Sequence, residues 1–212
     1  DVDSNIPIGA GLSSSAALCV AIVMCSQNSV DPMEISLEAQ RIENHVLRSN
    51  CGLMDQISVT HSKEGLATLL DFSKMSIESF RMPDDWRFKL VDTGIRRSLS
   101  ETNYSSSEIK IETRRIHAKE ESARVRAALS SDARVLGTIL NESHASISDN
   151  IRASTPEIDN MVKEIQSTAG VLGARLMGGG FGGMILALVE EEDTLPGELL
   201  VSSPPAFLQE TL

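Results

Sequence analysis

The sequence predicts a mixed α/β protein in two domains, and three observations carry that expectation. A loop rich in glycine and serine, Gly9 to Ser15, runs straight into the apolar segment Ala16 to Cys25. Short apolar runs flanked by polar turns occupy the middle of the chain, as strands do. In the second half, apolar residues three and four apart alternate with further short apolar runs, so helices and strands share one domain. With 212 residues and 41% hydrophobic content, the chain can bury a core in one large or two small domains.

The elements follow in order. Ala16 to Cys25 is apolar on every side, the signature of a helix buried all round. Asp31 and Pro32, with Glu34 three residues after the cap, open a second helix by the capping-box pattern. Ile35, Ala39, Ile42 and Val46 continue it at helical spacing toward an end near Arg48. Leu66 to Phe72, Ile77 to Phe80 and Arg87 to Thr93 read as strands, the last ending at Gly94. Helices are expected from about Glu108 to Leu129 and from Asp132 to Ser148; Ser154, Pro156 and Glu157 start another that runs to about Thr168. Strands Ala174 to Met177 and Met184 to Val189 flank the loop Gly178 to Gly183, and Glu198 to Ser202 reads as a final strand. Proline and acidic residues between Met82 and Asp85 suggest a boundary there, giving domains 1–84 and 85–212. No internal repeat or low-complexity segment is present.

Composition narrows the partners. Acidic residues outnumber basic ones 30 to 19, for a formal charge of −11, and no basic stripe exists to track a nucleic acid. Such a charge repels a nucleotide polyphosphate at long range, so nucleotide binding needs local donors and a metal ion. Cys19, Cys25 and Cys51 fit neither a zinc motif nor an even disulfide framework, so they read as reduced thiols in a cytoplasmic protein. No apolar run reaches the roughly 18 residues of a membrane span.

The segment Pro7 to Ala17, PIGAGLSSSAA, is a phosphate cradle in composition and position. Gly9 and Gly11 let backbone approach a ligand, Ser13, Ser14 and Ser15 supply hydroxyls, and the helix after them offers unpaired N–H groups and the positive end of its dipole. Pro7, Ala10, Leu12 and Ala16 complete the candidate ATP-binding stretch. The alternative is a small-residue turn capping a buried helix. No lysine follows, so this is not a Walker A loop.

Other residues are candidates with alternatives beside them. Asp55 could accept a proton from a substrate hydroxyl, or cap the helix after a glycine-containing turn. Glu43 borders the apolar stripe of the second helix, where a carboxylate wants a cation; otherwise it pairs at the surface with Arg41 or Arg48. His45 reads as a packing or hydrogen-bonding residue. Arg96 and Arg97, just after Gly94, could present a guanidinium to phosphate oxygens, or stand solvated. Tyr104, the only tyrosine, has a face and a hydroxyl suited to a ligand apolar on one side. The run Gly178 to Gly183 could also be a flexible hairpin.

PxGxGLSSSAA resembles the second signature motif of the GHMP kinases in its galactokinase form. In the right order follow IENH and CGLMDQ (Cys51 to Gln56), similar to the galactokinase segment with the catalytic aspartate and a magnesium-binding glutamate, and LMGGGFGG (Leu176 to Gly183), similar to the third motif. DTGIRRSL with Tyr104, and LNESHASI followed by PEIDNMV, extend the resemblance over Asn5 to Val189. It implies the two-domain GHMP fold: an N-terminal domain like ribosomal S5 domain 2, and a C-terminal ferredoxin-like domain. The activity it implies is ATP-dependent phosphorylation of the anomeric hydroxyl of galactose by a monomer. It assigns Asp55 as base, Arg96 to phosphate, Glu43 with Ser15 or Ser14 to Mg²⁺, and Cys51, Gly52, Asp55, Tyr104, Gly179 and Gly180 to the sugar. Runners-up are another sugar 1-kinase of the group, acting on arabinose, a uronic acid or N-acetylgalactosamine, and a sugar sensor without useful turnover. Asn50 stands where galactokinases commonly have proline, and no counterpart of their opening segment GRVNLIGEHTDY occurs in these 212 residues. The expectation is therefore that the first domain lacks its start and that the chain alone gives no measurable galactokinase turnover while binding nucleotide weakly.

Overall fold

A computed structural model describes residues 1–27, 31–48, 51–96 and 111–208. They fall into two compact units, one built from Asp1–Leu12 with Asp84–Leu200, the other from Ser13–Pro83 with Val201 and the residues that follow.

The second of these is three helices and a two-stranded ribbon. Helix α1 spans Ser14–Ser26, α2 Pro32–Ile42 and α3 Met54–His61. Asp31 caps α2 as expected, its carboxylate accepting from the N–H groups of Met33 and Glu34 at 2.8 and 2.9 Å, with Pro32 in the first turn. The helical path continues past Ile42 as one π turn, Glu43–Leu47, and stops at Arg48, whose φ of 54° is left-handed. Strands β1 (Leu66–Asp71) and β2 (Ser76–Arg81) pair antiparallel, from Leu66 opposite Arg81 to Asp71 opposite Ser76. The core gathers Cys19, Val20 and Val23 of α1 with Ile35 and Ala39 of α2.

Helix α1 departs from expectation. Leu18 is 41% and Ile22 46% exposed, and with the exposed Ala21 and Cys25 they form an apolar stripe outside the core. Uniform apolarity sets which faces can be buried, not how many neighbours arrive.

The other unit is an antiparallel four-stranded sheet in the order β4-β5-β3-β6. Its strands are β3 (Arg87–Asp92), β4 (Val171–Leu176), β5 (Met184–Val189) and the short β6 (Glu198–Leu199), with helices α4 (Ile111–Ala128), α5 (Ala133–Ser146) and α6 (Pro156–Gln166). Strand β5, MILALV, lies between β3 and β4 and is almost wholly buried, the pattern of a covered central strand. Ile158, Val162 and Ile165 of α6 pack on Ala174, Leu176, Ile185, Ala187 and Val189 to make its core. Thr155 caps α6 and Asp132 caps α5. A second π turn, Ile147–Ile151, prolongs α5 beyond the expected Ser148 and ends on left-handed Arg152. Strand β4 starts three residues before the expected Ala174, and β6 is shorter than expected. The expected start of α4 near Glu108 lies outside the described residues.

The mixed α/β expectation holds. No helix among the described residues is long and apolar enough to cross a membrane.

Candidate active site

The serine loop divides between the units. Through Leu12 it packs within the sheet unit. Pro7, Gly9 and Gly11 are exposed, Leu12 half-buried and Ala10 fully buried. The loop Gly178 to Gly183 lies against it backbone to backbone: a Cβ on Gly183 would stand 2.6 Å from the Ala10 carbonyl oxygen, and one on Gly178 3.4 Å from that of Gly11. Gly183 is also tied to β3 and its exit, donating its N–H to Ile95 and accepting from the backbone N–H and hydroxyl of Thr93 at 2.9 and 2.7 Å. Phe181 N–H donates to the Ala153 oxygen at 2.7 Å. The run Gly178 to Gly183 is thus a hairpin connection fixed by specific contacts. Gly179 and Gly180 are half-buried within it.

Arg96 passes beside Gly9, where an added Cβ would lie 3.5 Å from its Cδ. Its guanidinium grips the Asp92 carboxylate through both terminal nitrogens, one at 2.7 Å. This ion pair, with the Gly94 N–H, holds the Asp92 carboxyl down at about 2. Arg96 is therefore neither free nor simply solvated, and a phosphate would have to compete with Asp92 for it. Arg97 and Tyr104 lie outside the described residues.

From Ser13 onward the loop belongs to the helical unit. Ser13 precedes α1 with φ 54°, ψ 33°, left-handed geometry that a non-glycine residue adopts at a cost. The Ser13 side chain makes no cap hydrogen bond and no acidic residue occupies the first turn of α1, so among the described residues its leading N–H groups are open to an anion. Ser14 and Ser15 are half-buried and Ala16 is buried.

Two carboxylates converge on this helix start. Glu43, only 5% exposed, accepts the Ser15 hydroxyl on Oε1 at 2.6 Å and the Gln56 amide on Oε2 at 2.7 Å. Glu43 is therefore not a surface carboxylate, and Arg41 is engaged by Glu38 at 2.6 Å instead. Asp55 sits in the first turn of α3, whose N-cap position is Leu53, so Asp55 does not cap that helix. Burial raises its carboxyl above the usual range, a hydrogen bond with Ser13 opposes this, and the nearby Glu43 charge adds to the rise. Cys51 is half-buried and Gly52 exposed. The Cys51 backbone is clamped by Asn44, which accepts its N–H at 2.7 Å, and by Gln40, which donates to its oxygen at 3.1 Å. His45 is exposed rather than packed.

Magnesium takes oxygen ligands and uses few from protein when phosphates supply the rest. The Ser15 hydroxyl and the Glu43 carboxylate, adjacent and aimed at each other, fit that donor set. No cluster of three or more His, Cys, Asp or Glu able to hold a metal occurs among the described residues.

The arrangement belongs to a recognisable class of fold, the two-domain α/β fold of small-molecule kinases. The chain matches the GHMP kinases N terminal domain over residues 1–63 and the GHMP kinases C terminal domain over residues 125–196. Both halves of one family, in order and together covering more than half of the sequence, place the chain in the GHMP kinase superfamily. Among solved structures it is similar to the galactokinase of Lactococcus lactis complexed with galactose, at 24% identity and TM-score 0.77, covering 96% of this chain and 68% of that one. The mevalonate kinase of Methanococcus jannaschii follows at 20% and 0.61, covering 90% and 60%. That of methicillin-resistant Staphylococcus aureus MRSA252 matches at 22% and 0.56, covering 90% and 62%. Likeness at these identities speaks for the fold and leaves the acceptor alcohol open.

Gln56 is the site residue that sequence reading passed over. Its only signal was its place beside Asp55 in CGLMDQ.

Proposed function

We propose that this chain is the ATP-dependent sugar kinase its motifs resemble, a cytoplasmic monomer that transfers the γ-phosphate of ATP to the anomeric hydroxyl of galactose. The observation that carries the proposal is the convergence of Ser13, Ser15, Glu43 and Asp55 on the uncapped start of α1.

In this reading the leading N–H groups of α1 hold phosphate oxygens. Asp55 accepts the proton of the sugar hydroxyl as that oxygen bonds to the γ-phosphorus and the bond from phosphorus to the β-γ bridging oxygen breaks, releasing ADP. A carboxyl raised above the ordinary range is a stronger base at neutral pH. Ser13 donates to Asp55 and fixes its direction. Ser15 and Glu43 would hold Mg²⁺, which would neutralise charge on the transferring phosphate. Arg96 contributes to phosphate once released from Asp92. Cys51, Gly52, Tyr104, Gly179 and Gly180 are proposed for the sugar, and Pro7 to Ala16 for ATP.

Galactose is preferred over arabinose, a uronic acid or N-acetylgalactosamine because the motifs follow the galactokinase form, and because the similar Lactococcus lactis structure holds galactose. A sugar sensor would keep the same binding and lack turnover.

The test is thermal unfolding of the chain with Mg²⁺-ATP, which should protect by about 2.7 kcal/mol at 100 times the dissociation constant. Ser15→Ala should weaken this. Each candidate sugar, and mevalonate, is then added over a non-hydrolysable ATP analogue, and galactose should add the largest further shift. A folded chain with no nucleotide-dependent shift would refute the kinase reading; a larger shift with mevalonate would move the acceptor class.

A further inference from the structure

We infer that Gln56 is a positioning residue for the metal-binding carboxylate, presetting Glu43 so that one oxygen stays turned toward Ser15. This rests on the functional reading above.

Gln56 is fully buried on α3. Its Nε2 donates to Glu43 Oε2 at 2.7 Å and lies 3.6 Å from Cys51 Sγ, while its Oε1, equally buried, has no partner among the described residues. Chemistry settles the orientation of the amide. Turned over, its oxygen would face a carboxylate that can only accept. The orientation that serves Glu43 therefore strands a carbonyl oxygen, and a buried acceptor without a donor is destabilising. An apolar side chain of the same length would fill the space without that cost. What the amide gives in return is the donor that holds Glu43 Oε2, which an apolar side chain would leave buried without one.

Geometry supports this. Glu43 opens the π turn that prolongs α2, and such turns recur at functional sites. Without Gln56, Glu43 Oε2 would be a buried carboxylate oxygen without its donor, and the side chain could rotate away from Ser15. Outer partners that orient metal-binding side chains change metal affinity by about 10- to 100-fold.

The test uses the 212-residue chain with the β,γ-imido analogue of ATP and increasing Mg²⁺, read as the melting temperature. Mn²⁺ binding by electron paramagnetic resonance gives a direct second reading. Gln56→Met removes the donor at constant length. Gln56→Glu keeps the shape and replaces the donor with an acceptor, and it serves if the first variant does not fold. Both should raise the Mg²⁺ concentration for half-maximal stabilisation by about 10- to 100-fold, leaving the analogue's affinity without metal within about twofold. An unchanged Mg²⁺ requirement in a folded variant would overturn the inference. So would equal weakening with and without metal, which a merely structural role produces. A wild-type chain that binds the analogue with no Mg²⁺ dependence would instead overturn the metal assignment of Ser15 and Glu43, and with it the inference.

Discussion

Substituting Gly183 by alanine tests whether the glycine loop braces the serine loop. Two separable costs follow from the local geometry. Gly183 has φ +91°, and the added Cβ would lie 2.6 Å from the Ala10 oxygen, 3.0 Å from its carbonyl carbon and 3.4 Å from Gly11 N. All of these are backbone atoms, which cannot swing aside as a side chain can. Left-handed backbone costs a non-glycine residue about 1–2 kcal/mol, and overpacking adds about 1–3 kcal/mol. Gly183→Ala should therefore destabilise by about 2–5 kcal/mol, a large share of a stability of about 5–15 kcal/mol. Two controls separate the terms. Gly65 has φ +75° with nothing within 4 Å of the added Cβ, so Gly65→Ala should show only the backbone cost of about 1–2 kcal/mol. Gly52 has ordinary φ and open space, so Gly52→Ala should be neutral or stabilising by up to about 1 kcal/mol. Urea unfolding at constant m value ranks the three. In the folded fraction, Gly183→Ala should also lose more ATP protection than Gly65→Ala, because Ala10 and Gly11 would have to move. Equal losses for Gly183→Ala and Gly65→Ala would refute the bracing argument.

Asp55→Asn should retain nucleotide binding and melt higher at neutral pH. The carboxyl is raised in the folded state, so folding takes up protons and the destabilisation it causes grows as pH rises from the unfolded value through the folded one. Melting curves at pH 4 and pH 7 should show the variant's advantage only at the higher pH. Turnover, in the chain with any residues encoded upstream, should fall by about 10² to 10⁴, and unchanged turnover would remove Asp55 as base. His144 gives a second pH signal. Its Nδ1 accepts the Leu176 N–H at 3.3 Å and its Nε2 faces Asp159 at 3.3 Å. Burial lowers its pKa, with Arg175 lowering it further and Asp159 and Asp149 opposing. Its contribution is whole above the unfolded value near 6.5 and is lost as pH falls below it. Urea midpoints between pH 7.5 and 5.5 should drop less in His144→Asn than in wild type, with the lowered His117 accounting for a remaining slope. An identical drop would exclude His144 as its source.

Much of this protein is written within a turn of where it acts. Asp31 with Pro32, and Thr155 with Pro156, announce their helices because a cap and the N–H groups it serves are neighbours in sequence. The alternation of β3 and the solid apolarity of β5 mark strands for the same local reason. The serine loop was legible because glycine, serine and a helix start are consecutive. Other features depend on what packing brings together. Helix α3 entered the sequence reading only as a helix that Asp55 would cap, and its start at Met54 was missed because MDQISVTH is short and follows its glycine turn without a capping side chain. Both π turns escaped notice, since sequence periodicity over five residues cannot distinguish them from the helix they extend. The open stripe on α1 reflects which neighbours pack against it, a fact no property of the helix contains. Above all, Glu43 had two readings in the sequence, a carboxylate at the border of the apolar stripe or a surface partner of Arg41 or Arg48. Only the fold shows it buried between Ser15 and Gln56, 28 and 13 residues away, because a carboxylate's partner is set by where the backbone carries it and not by what stands next to it in the chain.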